Sequence, residues 1–76
     1  MSRFPKLSGK EIVNILVREF DFEATRQTGS HIILHKFVDE KKIVTVVPLH
    51  KEVKIGTLFG ILALAKIEKE EFLKRL

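Results

Sequence analysis

The spacing of apolar residues predicts a helix near the start of the chain. Ser8-Gly9-Lys10-Glu11 fits a capping box, in which the serine hydroxyl and the glutamate carboxylate each accept a hydrogen bond from the other residue's backbone N–H. Apolar residues follow at helical spacing, namely Ile12, Val13, Leu16, Val17 and Phe20. We therefore expect one buried helix face from about Ser8 to Phe20, with Asp21 ending the helix.

Three segments rich in β-branched and aromatic residues then predict strands. They cover residues 22–28, 31–38 and 43–47. Gly29-Ser30 and the polar stretch 39–42 supply the turns, since glycine adopts positive φ without steric cost. Strands joined by such short turns predict an antiparallel sheet, and Pro48 should end its last strand.

Two further helices complete the pattern. Thr57 is placed to cap the first of them, and a buried stripe follows at Leu58, Ile61, Leu62 and Ala65. A short final helix over residues 69–76 should present Phe72 and Leu76 on one face. This order predicts an α+β fold with two layers, in which helices cover one sheet face and the other face stays open.

The composition of the chain excludes several classes of protein and of chemical site. With 76 residues, 45% of them hydrophobic, the chain predicts a single folded domain over residues 1–76. The absence of cysteine excludes disulfides and thiolate sites. No apolar run reaches the roughly 18 residues of a membrane span, and the first six residues lack the apolar stretch of a secretory leader, so we expect a soluble, cytoplasmic protein.

Positive charge is concentrated in the middle of the chain. Of the net charge of +4, residues 26–54 contribute +3 from six basic and three acidic residues, and the same segment holds all three histidines. A basic segment favours a polyanionic partner such as nucleic acid, although an ordinary solvated surface can carry a similar excess.

The histidines are the first candidates for chemistry, because histidine alone titrates near neutral pH without help. His31 and His35 lie about 13 Å apart if their segment is a strand, which is too far for them to share one metal ion. The carboxylates form no cluster either. We therefore expect no metal site and no cofactor.

Metal-free cleavage of RNA is compatible with what remains. The 2′-hydroxyl of RNA can attack the adjacent phosphodiester if a base removes its proton and cations stabilise the developing charge. Arg26, Gly29, Ser30 and His31 stand close together and offer these groups. From the residues alone, a strand histidine beside a glycine turn fits a structural role better than a catalytic one, and both interpretations stay open at this point.

The remaining candidates also have two interpretations. His35 fits a half-exposed strand residue better than a second catalyst, whereas His50 fits a functional and a structural role equally well. Arg26, Lys51 and Lys54 could bind phosphates or could simply be solvated.

Four short motifs occur in order along nearly the whole chain, and with them the chain resembles the HicA (YcfA-like) toxins of HicAB toxin-antitoxin systems. They are Leu7-Ser8-Gly9-Lys10-Glu11, Arg26 with Gly29-Ser30-His31, Val47-Pro48-Leu49-His50 and Gly56-Thr57-Leu58. Asp21 and Lys66 depart from the family's usual glycines, and Glu68 departs from its usual capping serine or threonine. All three departures lie at predicted helix ends.

The resemblance implies a fold like a double-stranded RNA-binding domain, with the order helix-strand-strand-strand-helix. It also implies cleavage of mRNA with His31 as the catalytic residue, and a HicB-type antitoxin that masks this histidine. We expect His31 and His35 to point away from the helices, which would expose Ile33 as a docking point for the antitoxin.

Three hypotheses follow. The first is a metal-independent mRNA endoribonuclease in which His31 acts as base or acid, Gly29 and Ser30 shape its turn, and Arg26, Lys51 and Lys54 bind phosphates. The second is an RNA-binding module of the same fold that does not cleave. The third is an interaction protein whose off-stripe residues Phe59 and Leu64 contact a partner.

Overall fold

A computed structural model describes residues 4–76 of the chain. Its elements are α1 (Gly9–Glu19), β1 (Glu23–Thr28), β2 (His31–Val38), β3 (Lys41–Pro48), α2 (Ile55–Ala65) and α3 (Lys69–Lys74). This order confirms the predicted α+β fold, which has the arrangement of a double-stranded RNA-binding domain. Residues 1–3 lie outside the described residues. They belong to the predicted domain and to the six-residue segment that was predicted to lack a secretory leader.

Helix α1 begins with the predicted capping box. The Glu11 N–H donates to the Ser8 hydroxyl (3.1 Å), and the Ser8 N–H donates to the Glu11 carboxylate (2.8 Å). The buried face includes Ile15 but not Val17, which is 41% exposed, so the predicted stripe is wrong at Val17. Val17 follows Ile12 by five residues and therefore lies about 140° around the helix from it.

Two of the departures from the family pattern adopt a backbone conformation that favours glycine. Asp21 follows α1 with φ 62° and Lys66 follows α2 with φ 61°, both in the left-handed region. The N–H of Ile67 donates to the carbonyl of Leu62 (3.0 Å), the backbone bond of a glycine-type helix end. Glu68 precedes α3 without a capping side-chain bond.

The three strands pair antiparallel in the order β1-β2-β3. Leu34, Thr45 and Val47 are fully buried on the face that meets the helices. Since side chains alternate along a strand, His31, Ile33 and His35 lie on the opposite face, which confirms the predicted orientation.

Helix α2 buries the predicted residues Leu58, Ile61, Leu62 and Ala65. The Thr45 hydroxyl donates to the Ile61 carbonyl (2.9 Å) and connects β3 to this helix. Thr57 is not its cap: the helix begins two residues earlier, after Lys54, whose carbonyl accepts from the Leu58 N–H (2.9 Å).

The ends of the two C-terminal helices explain the other apolar residues. Phe72 of α3 is buried and stacks on Phe20, whereas Leu76 is 49% exposed. Helix α3 ends at Lys74, which leaves Leu76 beyond the packed turn. Phe59 contacts the Phe4 ring with 5.1 Å between centroids, whereas Leu64 is 57% exposed.

Candidate functional site at one end of the sheet

His31 is the first residue of β2, on the open face of the sheet. It directly follows the two-residue turn Gly29-Ser30, where Gly29 has φ 59°, the positive value that such hairpin turns require at their first position. Thr28 and Pro48 flank it on the neighbouring strands. The His31 side chain is exposed, and within residues 4–76 it makes no hydrogen bond or ion pair.

The segment after β3 is held against this turn by a backbone hydrogen bond. The N–H of Leu49 donates to the carbonyl of Ser30 at 2.6 Å, which continues the pairing of β2 and β3 by one residue beyond the strands. His50 is therefore at the same end of the sheet as His31. Sequence reasoning could propose either histidine, but only the register places both at the same end of the sheet.

The first turn of α1 meets the same segment from the other side. The N–H of Gly9 donates to the carbonyl of His50 at 2.9 Å. A Cβ atom on Gly9 would lie only 1.9 Å from the Pro48 carbonyl oxygen, so glycine is needed for this approach. Three segments that are distant in the sequence, at Gly9, Ser30 and His50, thus converge at one end of the molecule.

A cleft of about 320 Å³ opens where these segments meet. It is lined by Ser8, Lys10, Leu49, His50 and Lys51. Lys51 was predicted as a phosphate-binding residue, but Lys10 was not, since its place in a helix-capping motif carries no sign of a site. Both cations thus line the same cleft as His50.

The other two predicted phosphate-binding residues lie apart from this cleft. Arg26 is exposed on β1 and pairs with Ile33, on the same open face as His31. Lys54 lines a different cleft of about 360 Å³, which also involves Lys6 and Glu52. Arg26 is thus near the His31 end of the sheet, whereas Lys54 is separated from it.

His35 is held by its neighbours on the open face. Its Nδ1 atom shares a hydrogen bond with the Thr25 hydroxyl, and its Nε2 atom lies 3.8 Å from the Glu23 carboxylate. Its side chain is only 17% exposed, less than the half-exposed strand position that the sequence predicted. Across the part of the chain that the structure describes, no three His, Asp or Glu residues are grouped so that they could hold a metal ion.

Comparison with known proteins identifies the family of this chain. The model of the family described as HicA toxin of bacterial toxin-antitoxin systems matches residues 9–67, most of the 76 residues. No curated protein and no solved structure matches the chain. None of the described helices is long and apolar enough to cross a membrane.

Proposed function

We propose, because the chain belongs to the HicA toxin family of toxin-antitoxin systems, that it is a metal-independent endoribonuclease that cleaves mRNA with His31 as its catalytic residue. As a toxin of such a system, it has an antitoxin as its partner. The matched segment includes His31 and every residue of the site from Gly9 to Lys54.

The observation that carries this proposal is the placement of His31. Its ring is exposed at the end of the open sheet face and makes no bond within residues 4–76, unlike the ring of His35. A general base must be free to contact the proton that it removes, so His31 fits this role better than His35. Cationic side chains at Arg26 and Lys51 accompany it on the same end of the sheet.

In the proposed reaction His31 accepts the proton of a 2′-hydroxyl group, whose oxygen then attacks the neighbouring phosphorus atom. Gly29 and Ser30 hold the turn that sets the position of His31. Arg26, Lys51 and Lys54 bind phosphates of the RNA, with Lys54 contacting the strand away from the reacting group. Only RNA has a 2′-hydroxyl, so DNA is not a substrate.

The proposed antitoxin is of the HicB type and covers His31. Ile33 lies one side-chain position along β2 on the same face, half-buried beside Val46 of β3. An antitoxin that docks on this apolar part of the open face also blocks access to His31. The proposed place of action is the cytoplasm, where mRNA is translated.

The test is incubation of a long mRNA with purified wild-type and His31→Ala protein in the presence of EDTA. We expect cleavage by the wild type alone, with fragments that end in 2′,3′-cyclic phosphate. His35→Ala is the matched control, since it removes a histidine from the same strand face, and it should cleave like the wild type.

The alternative function is an RNA-binding module that does not cleave. Intact RNA with both wild type and His31→Ala, each folded and bound to RNA, would favour this alternative. Cleavage that continues in His31→Ala would contradict the assignment of His31 while leaving an endoribonuclease. Cleavage that needs a divalent metal would contradict the proposed mechanism.

A further inference from the structure

We infer that His50 is the general acid of the proposed reaction, donating a proton to the 5′-oxygen that leaves when the phosphodiester bond breaks. This inference rests on the proposed ribonuclease function. It assigns a role to a histidine that the sequence left open between function and structure.

The backbone places His50 beside His31. His31 pairs with Pro48, and the bond from Leu49 to Ser30 continues that pairing, so position 50 is the diagonal neighbour of His31. Diagonal neighbours in antiparallel strands lie about 7–8 Å apart. Side chains from backbone positions at such a separation can contact opposite oxygens of one phosphodiester group, each over a hydrogen bond of about 2.6–3.2 Å.

The position of His50 depends on its backbone and leaves its ring available. The carbonyl of His50 accepts from Gly9, while its side chain is exposed in the cleft with Lys10 and Lys51. Two lysines beside the ring favour an anionic phosphate there. A substitution of the His50 side chain keeps the backbone bond that holds the segment.

Two carboxylates near this cleft and the histidine His35 are poorly suited to this role. The protein has no tyrosine and no cysteine. Glu11 accepts the Ser8 N–H in the capping box, and Glu52 lines the separate cleft with Lys54. His35 lies four residues, about 13 Å, along the strand from His31. Its ring is hydrogen-bonded to the Thr25 hydroxyl. Among the described residues, His50 is thus the histidine that lines this cleft and can face the leaving oxygen while His31 faces the 2′-hydroxyl.

The proposed step exchanges one bond of the phosphorus atom for another and moves two protons. His31 removes the 2′-hydroxyl proton, the 2′-oxygen forms a bond to phosphorus, and the bond from phosphorus to the 5′-oxygen breaks. The electron pair of that bond goes to the 5′-oxygen, which takes its proton from His50. The products are a 2′,3′-cyclic phosphate and a 5′-hydroxyl, with a proton now on His31 and one lost from His50.

The test uses a leaving group that needs no proton. A cleavage site is first mapped in a long mRNA, and two short RNAs are then made around it, one with the natural 5′-oxygen and one with sulfur at that position. A thiolate leaves readily without protonation, so loss of a general acid slows cleavage of the oxygen substrate and spares the sulfur substrate. The proteins are wild type, His31→Ala, His50→Ala, His50→Gln and the control His35→Ala.

We expect both His50 variants to cleave the oxygen substrate about 10²- to 10⁴-fold more slowly than wild type. On the sulfur substrate they should come within about tenfold of wild type, while His31→Ala stays slow on both substrates. If His50 is purely structural, its variants cleave both substrates more slowly by the same factor. If His50 has no role, its variants cleave both substrates at the wild-type rate. Either result overturns the inference while leaving the ribonuclease in place. If folded wild type cleaves no RNA at all, the proposed function fails and the inference fails with it.

Discussion

The backbone N–H of Gly9 donates a 2.9 Å hydrogen bond to the carbonyl oxygen of His50. This bond joins the start of α1 to the segment that follows β3. Gly9 lies so close to Pro48 that a Cβ atom on Gly9 would be 1.9 Å from the Pro48 carbonyl oxygen. The candidate site therefore depends on a helix that contributes no proposed catalytic group.

We predict that Gly9→Ala destabilises the protein by about 1–3 kcal/mol, as overpacking against a closely packed backbone does. The added methyl group must push α1 away from Pro48. The measurement is the free energy of unfolding from urea titration followed by circular dichroism. Because the His50 carbonyl is held by the same residue, RNA cleavage should also fall at a temperature where the variant is still folded.

Gly60→Ala is the matched control for Gly9→Ala. A Cβ atom on Gly60 meets nothing within 4 Å, and the residue lies inside α2. Alanine should therefore stabilise the protein by about 0.5–1 kcal/mol, since glycine disfavours helix interiors. Equal unfolding midpoints for Gly9→Ala and wild type would show that the close approach to Pro48 is not needed.

We predict that Lys66→Gly stabilises the protein by about 0.5–1 kcal/mol. Lys66 has φ 61° after α2, and a residue with a Cβ atom pays for this left-handed conformation where glycine does not. Thermal unfolding monitors the change. Ala63→Gly, within α2 and exposed, is the control and should lose about 1 kcal/mol. A Lys66→Gly variant no more stable than wild type would contradict this account of the helix end.

We predict that Lys51→Ala and Lys54→Ala each weaken RNA binding and reduce its salt dependence. Each removed phosphate contact should lower the slope of log affinity against log salt by about 0.7, the value for single strands. Fluorescence anisotropy with labelled RNA measures this, in a His31→Ala background so that the RNA stays intact.

Lys41→Ala is the control for charge alone. Lys41 begins β3, about 23 Å along the strand from Pro48 and the candidate site. It removes the same charge but should leave the slope near that of the parent. Equal losses for Lys41 and Lys51 would mean that RNA is attracted by net charge without a defined path.

We predict that Ile33→Asp lowers the affinity of the antitoxin by at least about tenfold, because a carboxylate on the apolar part of the open face must lose water on docking. Isothermal titration with the purified antitoxin measures the affinity, and circular dichroism checks that the variant is folded. Leu64→Asp is the control on α2, where Leu64 is 57% exposed. If Leu64→Asp weakens binding and Ile33→Asp does not, the antitoxin docks on α2.

Local sequence signals predicted the elements well where the physical cause was itself local. The capping box at Ser8 and the stripe from Leu58 to Ala65 depend on residues three to seven positions apart, and both are present as predicted. Thr57 was predicted to cap α2 because threonine is a common capping residue. The helix begins instead after Lys54 and has no side-chain cap, since a helix can begin without one. Val17 was misplaced for a related reason, since neighbouring apolar residues define more than one possible helix face.

The amino-acid sequence by itself determined the elements, their order and the residues able to do chemistry, because periodicity, turn residues and side-chain types act over a few positions. It could also place His31 beside a glycine turn and exclude thiol chemistry. Which residues meet was decided by the tertiary structure. The pairing of β2 with β3 places His50 at the same end of the sheet as His31. The hydrogen bond from Gly9 to His50 brings Lys10 to the cleft that Lys51 lines. Lys54 lines a different cleft. These are long-range contacts set by packing of whole elements, and no local pattern in the chain encodes them.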